Sequence, residues 1–182
     1  MHEIQKDSIM KFDKVFLIGF MGCGKTTFGR KLAKQLEWDF IDLDDYIESE
    51  QKASIQEIFS DKGEAYFRGL ESNALEEASK WEKTVISTGG GTPCFNNNIS
   101  FINNIGLSIY IKLSPEVLKS RLKGGKSKRP LIANLSDAEL LSFIKNKLAE
   151  RSVDYSKSEI TFEYSIDREA SFTENLRTKL LN

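Results

Sequence analysis

The stretch Val15-Phe16-Leu17-Ile18-Gly19-Phe20-Met21-Gly22-Cys23-Gly24-Lys25-Thr26 decides how this chain is read. Four apolar residues run into a glycine, the pattern of a strand buried on both faces of a parallel sheet. From Gly19 onward, eight residues match G-x-x-x-x-G-K-S/T in full. A helical period then follows at Phe28, Leu32, Ala33 and Leu36. Strand, glycine-rich loop and helix in this order make a phosphate-binding loop. Its glycines let backbone amides approach phosphate oxygens, and the helix N-terminus adds partial positive charge. In such a loop Lys25 reaches the β- and γ-phosphates, and the Thr26 hydroxyl ligates Mg²⁺. A glycine-rich turn with a stray lysine would lack this context on both sides.

Outward from the loop, strands and helices alternate. Trp38–Asp42 reads as a second strand, followed by an acidic loop leading to a helix at Asp45–Glu50. Ser54 and Glu57 form a capping-box pattern ahead of Ile58, and Gly63 closes that short helix. Glu64–Lys80 reads as a longer helix. Thr84–Thr88 is a strand that runs straight into Gly89-Gly90-Gly91, and Leu107–Leu113 is another. Ser114 caps a helix with Pro115 in its first turn. Ser136–Tyr155 is helical, Ile160–Ile166 is the last strand, and Ser171 with Glu174 suggests a second capping box before a final helix. The alternation implies one α/β domain with a parallel sheet covered on both faces, a three-layer α/β/α architecture.

Composition narrows the function classes. The 182 residues are 40% hydrophobic and 29% charged, and the formal net charge is -1. That balance gives no field suited to nucleic acid or an anionic membrane. Val15–Phe20 is too short to span a bilayer, and Lys25 arrives too soon for a signal peptide. Cys23 and Cys94 have no metal-ligand spacing, and a bridge from within the phosphate loop would obstruct its ligand, so a reducing, cytoplasmic setting is expected. The sole histidine, His2, lies too near a terminus to suit catalysis or metal binding. A monomer is expected.

Four further features bear chemistry. Asp42-Leu43-Asp44 sits at the C-terminal end of the second strand, the edge where open α/β sheets bind ligands. If the extended conformation persists, the two acids point to opposite sides, one toward metal and one toward substrate. Two solvated acids are the plainer reading. Gly89-Gly90-Gly91 lets the chain pass flush against a ligand or another backbone; a flexible turn is the alternative. Lys123–Pro130 has two glycines, no apolar residue and a basic excess, which fits a closing lid that delivers Arg129 to phosphate, or a solvated loop. Arg68 lies three residues before Glu71, and Arg151 lies near a helix end; on spacing alone both suit ordinary surface roles.

Taken together, Gly19–Thr26, Phe40–Asp44, Asp61–Glu64, Phe67-Arg68, Thr88–Gly91, Arg129-Pro130-Leu131 and Arg151 resemble, in this order, the shikimate kinases. The resemblance runs from about Lys14 to the last helix. It implies a five-stranded parallel sheet in the order 2-3-1-4-5, a substrate-binding subdomain near 43–72, a mobile lid near 122–134, and transfer of the ATP γ-phosphoryl group to the 3-hydroxyl of shikimate. Mapped onto this sequence, it implies ATP contacts from Gly22, Cys23, Gly24, Lys25, Thr26, Thr27 and the lid residue Arg129. Thr26 and Asp42 hold Mg²⁺. Asp44 binds shikimate hydroxyls and serves as base or positioner, making it catalytic with Lys25 and Arg129. Arg68 and Arg151 clamp the carboxylate, with Glu71 positioning Arg68. Gly90 offers a backbone contact, and Phe59 and Phe67 are apolar walls. There are two departures. The spacing from Arg121 to Arg129 is slightly long, which leaves the match of Arg121 to the adenine-stacking arginine open. Leu43 replaces a small polar residue and is expected to point away from the chemistry. A gluconate kinase-like enzyme and a non-catalytic nucleotide switch are the alternatives. The Phe-Arg and triple-glycine motifs disfavour the first, and the absence of N-K-x-D weighs against a guanine-nucleotide switch.

Overall fold

The computed structural model describes residues 12–125 and 130–181. At its centre is β1 (Lys14–Ile18), with all five residues buried. It pairs in parallel with β3 (Thr84–Ser87) on one side and β4 (Leu107–Lys112) on the other. Strand β2 (Asp39–Asp42) joins the far edge of β3, and β5 (Ile160–Glu163) joins β4, which gives the order β2-β3-β1-β4-β5.

Alternation along the strands separates two cores. Val15 and Leu17 face a layer built from α1 (Lys25–Leu36), α5 (Pro115–Lys123), α6 (Asp137–Tyr155) and α7 (Ile166–Leu181). Phe16 and Ile18 face α2 (Leu43–Gln51), α3 (Ile55–Ala78) and α4 (Asn98–Ile105). Helix α6 starts in the first core with Leu140 and ends in the second with Tyr155. This crossing brings its C-terminal turn to the end of β3, where the glycine triplet begins.

The sequence reading needs correction in four places. No acidic loop follows β2, because α2 begins at Leu43 directly. Asp42 is its N-cap, and its side chain accepts the Asp44 amide. The extended conformation therefore stops at Asp42, and Asp44 sits on the first helical turn rather than alternating with it. Strand β5 ends at Glu163, and Ser171 lies inside α7, its hydroxyl donating to the Arg168 carbonyl. Phe172 stacks on Phe162 at 3.9 Å, which favours helix through that position over a new cap. Among the described residues the capping boxes that form are Ser54–Glu57 and Ser136–Glu139. No helix among the described residues is long and apolar enough to cross a membrane.

Gly63 does not end α3 but breaks it, with φ 78 and ψ 174 inside the span Ile55–Ala78. That conformation is essentially restricted to glycine. The break sets the capped segment before it at an angle to the rest, and the Phe59 ring meets Phe67 at 4.7 Å. No atom lies within 4 Å of where a Cβ would stand on Gly63, so Gly63→Ala isolates backbone strain from packing. The expected cost is about 1–3 kcal/mol, read as a lower denaturant midpoint at unchanged m-value.

Candidate active site

The phosphate loop holds three glycines at positive φ: Gly19 at 148, Gly22 at 79 and Gly24 at 103. Lys25 opens α1 and is buried, with Nζ donating to the carbonyls of Gly19 at 2.8 Å and Phe20 at 3.3 Å. Thr26 and Thr27 stand exposed beside it at the helix N-terminus. Helix α5 closes the loop's outer side. Leu122 fills the space a side chain at Gly22 would need, and Arg121 Nη1 donates to the Cys23 carbonyl at 2.9 Å. The Arg121 guanidinium also lies 5.0 Å from the Tyr164 ring. Both cysteines are free thiols.

Asp42 links loop and sheet. Its Oδ2 accepts from Thr26 Oγ1 at 2.9 Å while Oδ1 accepts the Asp44 amide at 3.2 Å. A hydroxyl and a carboxylate converging beside a phosphate cradle are the hard oxygen donors that suit Mg²⁺, which typically takes few protein ligands and completes its shell with phosphate and water. Leu43 is fully buried in the core with Phe16 and Ile18.

Asp44 is largely buried, and its pKa is pushed up to about 7. Desolvation is the main cause; the charges of Asp42 and Glu71 add to it and Lys25 opposes it. Glu71 is 1% exposed and carries two short bonds, accepting from Thr92 Oγ1 at 2.5 Å and from Arg68 Nη1 at 2.6 Å. The Arg68–Glu71 pair is thus buried, not the surface i,i+3 pair that spacing alone suggested. On its other side Arg68 donates through Nε and Nη2 to Glu64, whose side chain is 57% exposed. Its guanidinium lies 4.0 Å from the Phe95 ring centroid and 5.4 and 5.9 Å from those of Phe67 and Phe59.

The glycine triplet binds these parts together. A Cβ on Gly89 would stand 2.8 Å from Asp44 Oδ1 and 3.0 Å from Glu71 Oε1. On Gly90 it would lie 3.3 Å from Arg151 Nη1 and 3.5 Å from the Met21 amide nitrogen. On Gly91 it would meet Arg68 Nη1 at 2.8 Å. Arg151 Nη1 donates to the Gly90 carbonyl at 3.1 Å and its guanidinium lies 5.6 Å from the Phe20 ring. Lys25, Asp42, Asp44, Arg68, Gly90 and Arg151 are therefore gathered around one spot at the C-terminal edge of the sheet. Phe59 and Phe67 flank its Arg68 side. Arg129 lies outside the described residues.

Sequence reasoning overlooked the supports. Tyr155, one helical turn after Arg151, donates to the Gly90 carbonyl at 2.5 Å. Thr92 and Asn98 are buried polar residues that hold Glu71 and the turn after the triplet, with Asn98 Nδ2 donating to the Thr92 carbonyl at 2.9 Å. The i,i+4 spacing of Arg151 and Tyr155 was the available signal; Thr92 and Asn98 carried none.

A family model described as shikimate kinase matches residues 21–180. The chain belongs to the shikimate kinase family. It is 46% identical to a shikimate kinase of Bacteroides fragilis over 142 residues, 78% of this chain and 79% of that one. Its fold superposes on the crystal structure of shikimate kinase from Bacteroides thetaiotaomicron with a TM-score of 0.86 at 39% identity, covering 93% of this chain and 98% of the other. Shikimate kinase from Acinetobacter baumannii in complex with shikimate gives a TM-score of 0.81 at 29% identity, covering 93% of both chains. The family's five-stranded sheet order is the one observed here.

An acid whose pKa rises on folding binds more protons folded than unfolded between its two values. Asp44 therefore costs this kinase stability as pH climbs from 3.8 to about 7, and the cost is fully present above that. Asn mimics the protonated acid. Asp44→Asn is expected to be more stable than the parent at pH 8 by up to roughly 4 kcal/mol, and to lose that advantage progressively as pH falls toward 4, as measured by denaturant melts across the range.

Proposed function

We propose that the chain transfers the γ-phosphoryl group of ATP to the 3-hydroxyl of shikimate, with the residues of the cleft in the following roles. The observation that carries the reading is the glycine triplet, which seats an acid and two arginines around one space against the phosphate loop. Shikimate presents hydroxyls, a carboxylate and an apolar ring face, and the cleft has a partner for each.

Loop amides from Gly22, Cys23 and Gly24, with Lys25, Thr26 and Thr27, hold the phosphates. Lys25 swings from its loop carbonyls to the phosphate oxygens, a short move for a four-carbon stem. Thr26 and Asp42 would hold Mg²⁺, which would neutralise phosphate charge when bound. Asp44 orients the acceptor hydroxyl and takes its proton. With a pKa near 7 it is a competent base at neutral pH. Arg68 and Arg151 take the carboxylate, and Phe59 and Phe67 supply the apolar wall.

The two acids on Arg68 differ in kind. Glu71 is buried and fixes one edge of the guanidinium permanently. Glu64 is exposed, its pairing is weak, and the substrate carboxylate can replace it. The segment near 43–72 acts as the acceptor-binding subdomain and that near 122–134 as the lid carrying Arg129, which excludes water as a competing acceptor. One chain supplies every residue of the cleft, in keeping with a monomer.

Release of ADP, followed by a coupled assay with ATP and either shikimate or gluconate, tests the assignment. Turnover with shikimate is expected; turnover with gluconate alone would overturn it. The kcat/KM for shikimate should fall tenfold per pH unit below about 7 as Asp44 takes up a proton. Asp44→Asn should lower kcat by about 10²–10⁴-fold, and near-normal turnover would remove Asp44 from its role. Arg68→Lys keeps a cation beside Glu71 but loses the planar fork. Shikimate KM should rise by roughly one to two orders of magnitude while ATP KM stays within about twofold; equal loss for both ligands contradicts the clamp.

A further inference from the structure

Tyr155 is fully buried at the end of α6, among Phe16, Ile18 and the aromatic ring of Tyr110, 5.0 Å away. Its hydroxyl is the one polar atom of that side chain, and it donates to the Gly90 carbonyl at 2.5 Å. Arg151, one turn earlier, donates to the same oxygen at 3.1 Å. Both acceptor positions of the Gly90 carbonyl are thereby used by a single helix. Burial pushes the tyrosine pKa well above its ordinary value, so the hydroxyl keeps its proton and remains a donor throughout the working pH range.

The neighbouring carbonyls are also held. Gly89 accepts the Thr92 amide at 3.3 Å, and Gly91 accepts the Cys94 amide at 2.8 Å. In a trans peptide the carbonyl and the next amide point in opposite directions. Fixing the Gly90 carbonyl toward α6 turns the Gly91 amide away from α6. Fixing the Gly89 carbonyl likewise sets the direction of the Gly90 amide. Glycine has the widest choice of backbone angles of any residue, and three in succession would flip freely without such restraints.

We infer that Tyr155 is a positioning residue for the acceptor: its hydroxyl locks the peptide after Gly90 and, through the shared carbonyl, sets the Arg151 guanidinium at the carboxylate end of the cleft. The inference rests on the proposed acceptor site. Tyr155 touches no substrate and acts through Gly90 and Arg151. Its removal therefore bears on shikimate, not on the nucleotide, whose cradle is built by β1 and α1.

Tyr155→Phe keeps the ring and its packing and deletes only the donor. The expected result is a rise of about tenfold in shikimate KM, with ATP KM within twofold and kcat lowered less than threefold. Unchanged shikimate KM overturns the inference, as does an equal rise in both KM values, which is what a merely structural role produces. Tyr110→Phe, on the same aromatic contact but without a bond to the triplet, should leave all three constants within twofold of the parent; a shikimate-specific rise there would assign the effect to packing. If Tyr155→Phe yields little folded protein, calorimetric titration of the folded fraction with shikimate and with a non-hydrolysable ATP analogue reads the same contrast. Arg151→Ala separates the two levels of argument. If it leaves shikimate KM unchanged, the proposed acceptor site falls and this inference with it. If it raises KM while Tyr155→Phe does not, only the inference falls.

Discussion

The absence of side chains over three consecutive residues, Gly89 to Gly91, is the constraint on which the rest of this site depends. Each glycine is pressed against a different group: Asp44 and Glu71, then Arg151 and the phosphate loop, then Arg68. A single methyl at the first or third position would come within 3.0 Å of a charged atom. The triplet lies where the phosphate loop, between β1 and α1, meets side chains from α2, α3 and α6. The central position of β1 and its pairing with β3 put the two halves at the same edge.

Charge is organised around that backbone with unequal permanence. Glu71 is buried, bonded on both oxygens, and serves as a fixed counterion for Arg68. Removing one member of such a pair is costly, because the other is left buried and unpaired. Glu64 and the Thr26–Asp42 bond are accessible to solvent. Asp44 lies between these cases, buried enough for its proton to be held near neutrality and close enough to Lys25 to feel the phosphate side.

Much of this was legible in the sequence, for identifiable reasons. The phosphate loop is a local motif, fixed by glycine spacing between a strand and a helix, and it folds as read. The acceptor residues are distant along the chain, so only their ordered resemblance to a family pointed to them; spacing alone gave Arg68 and Arg151 bland surface roles. The start of α2 was misplaced because Asp42 caps a helix at the very end of a strand, leaving no loop to detect. Ser171–Glu174 had the pattern of a cap, but the stacking of Phe172 on Phe162 overrode it. Thr92, Asn98 and Tyr155 were missed because a buried hydroxyl or amide that supports another residue leaves no periodicity and no charge pattern. Arg129 lies outside the described residues, and its role stays with the family resemblance.

The charges of Asp42 and Glu71 around Asp44 also bear on how the proposed catalytic cycle ends. Before transfer, on the proposed reading, the acceptor brings a neutral hydroxyl to Asp44, and its lone negative charge is held by Arg68 and Arg151. In the proposed reaction the same ring position then carries a phosphate ester, and once Asp44 gives up the proton it took, that dianion faces a carboxylate whose ionisation Asp42 and Glu71 already disfavour. The acids that welcome the alcohol repel the ester. On that reading the return of Asp44 to its charged form loosens the product and readies the base for the next turnover.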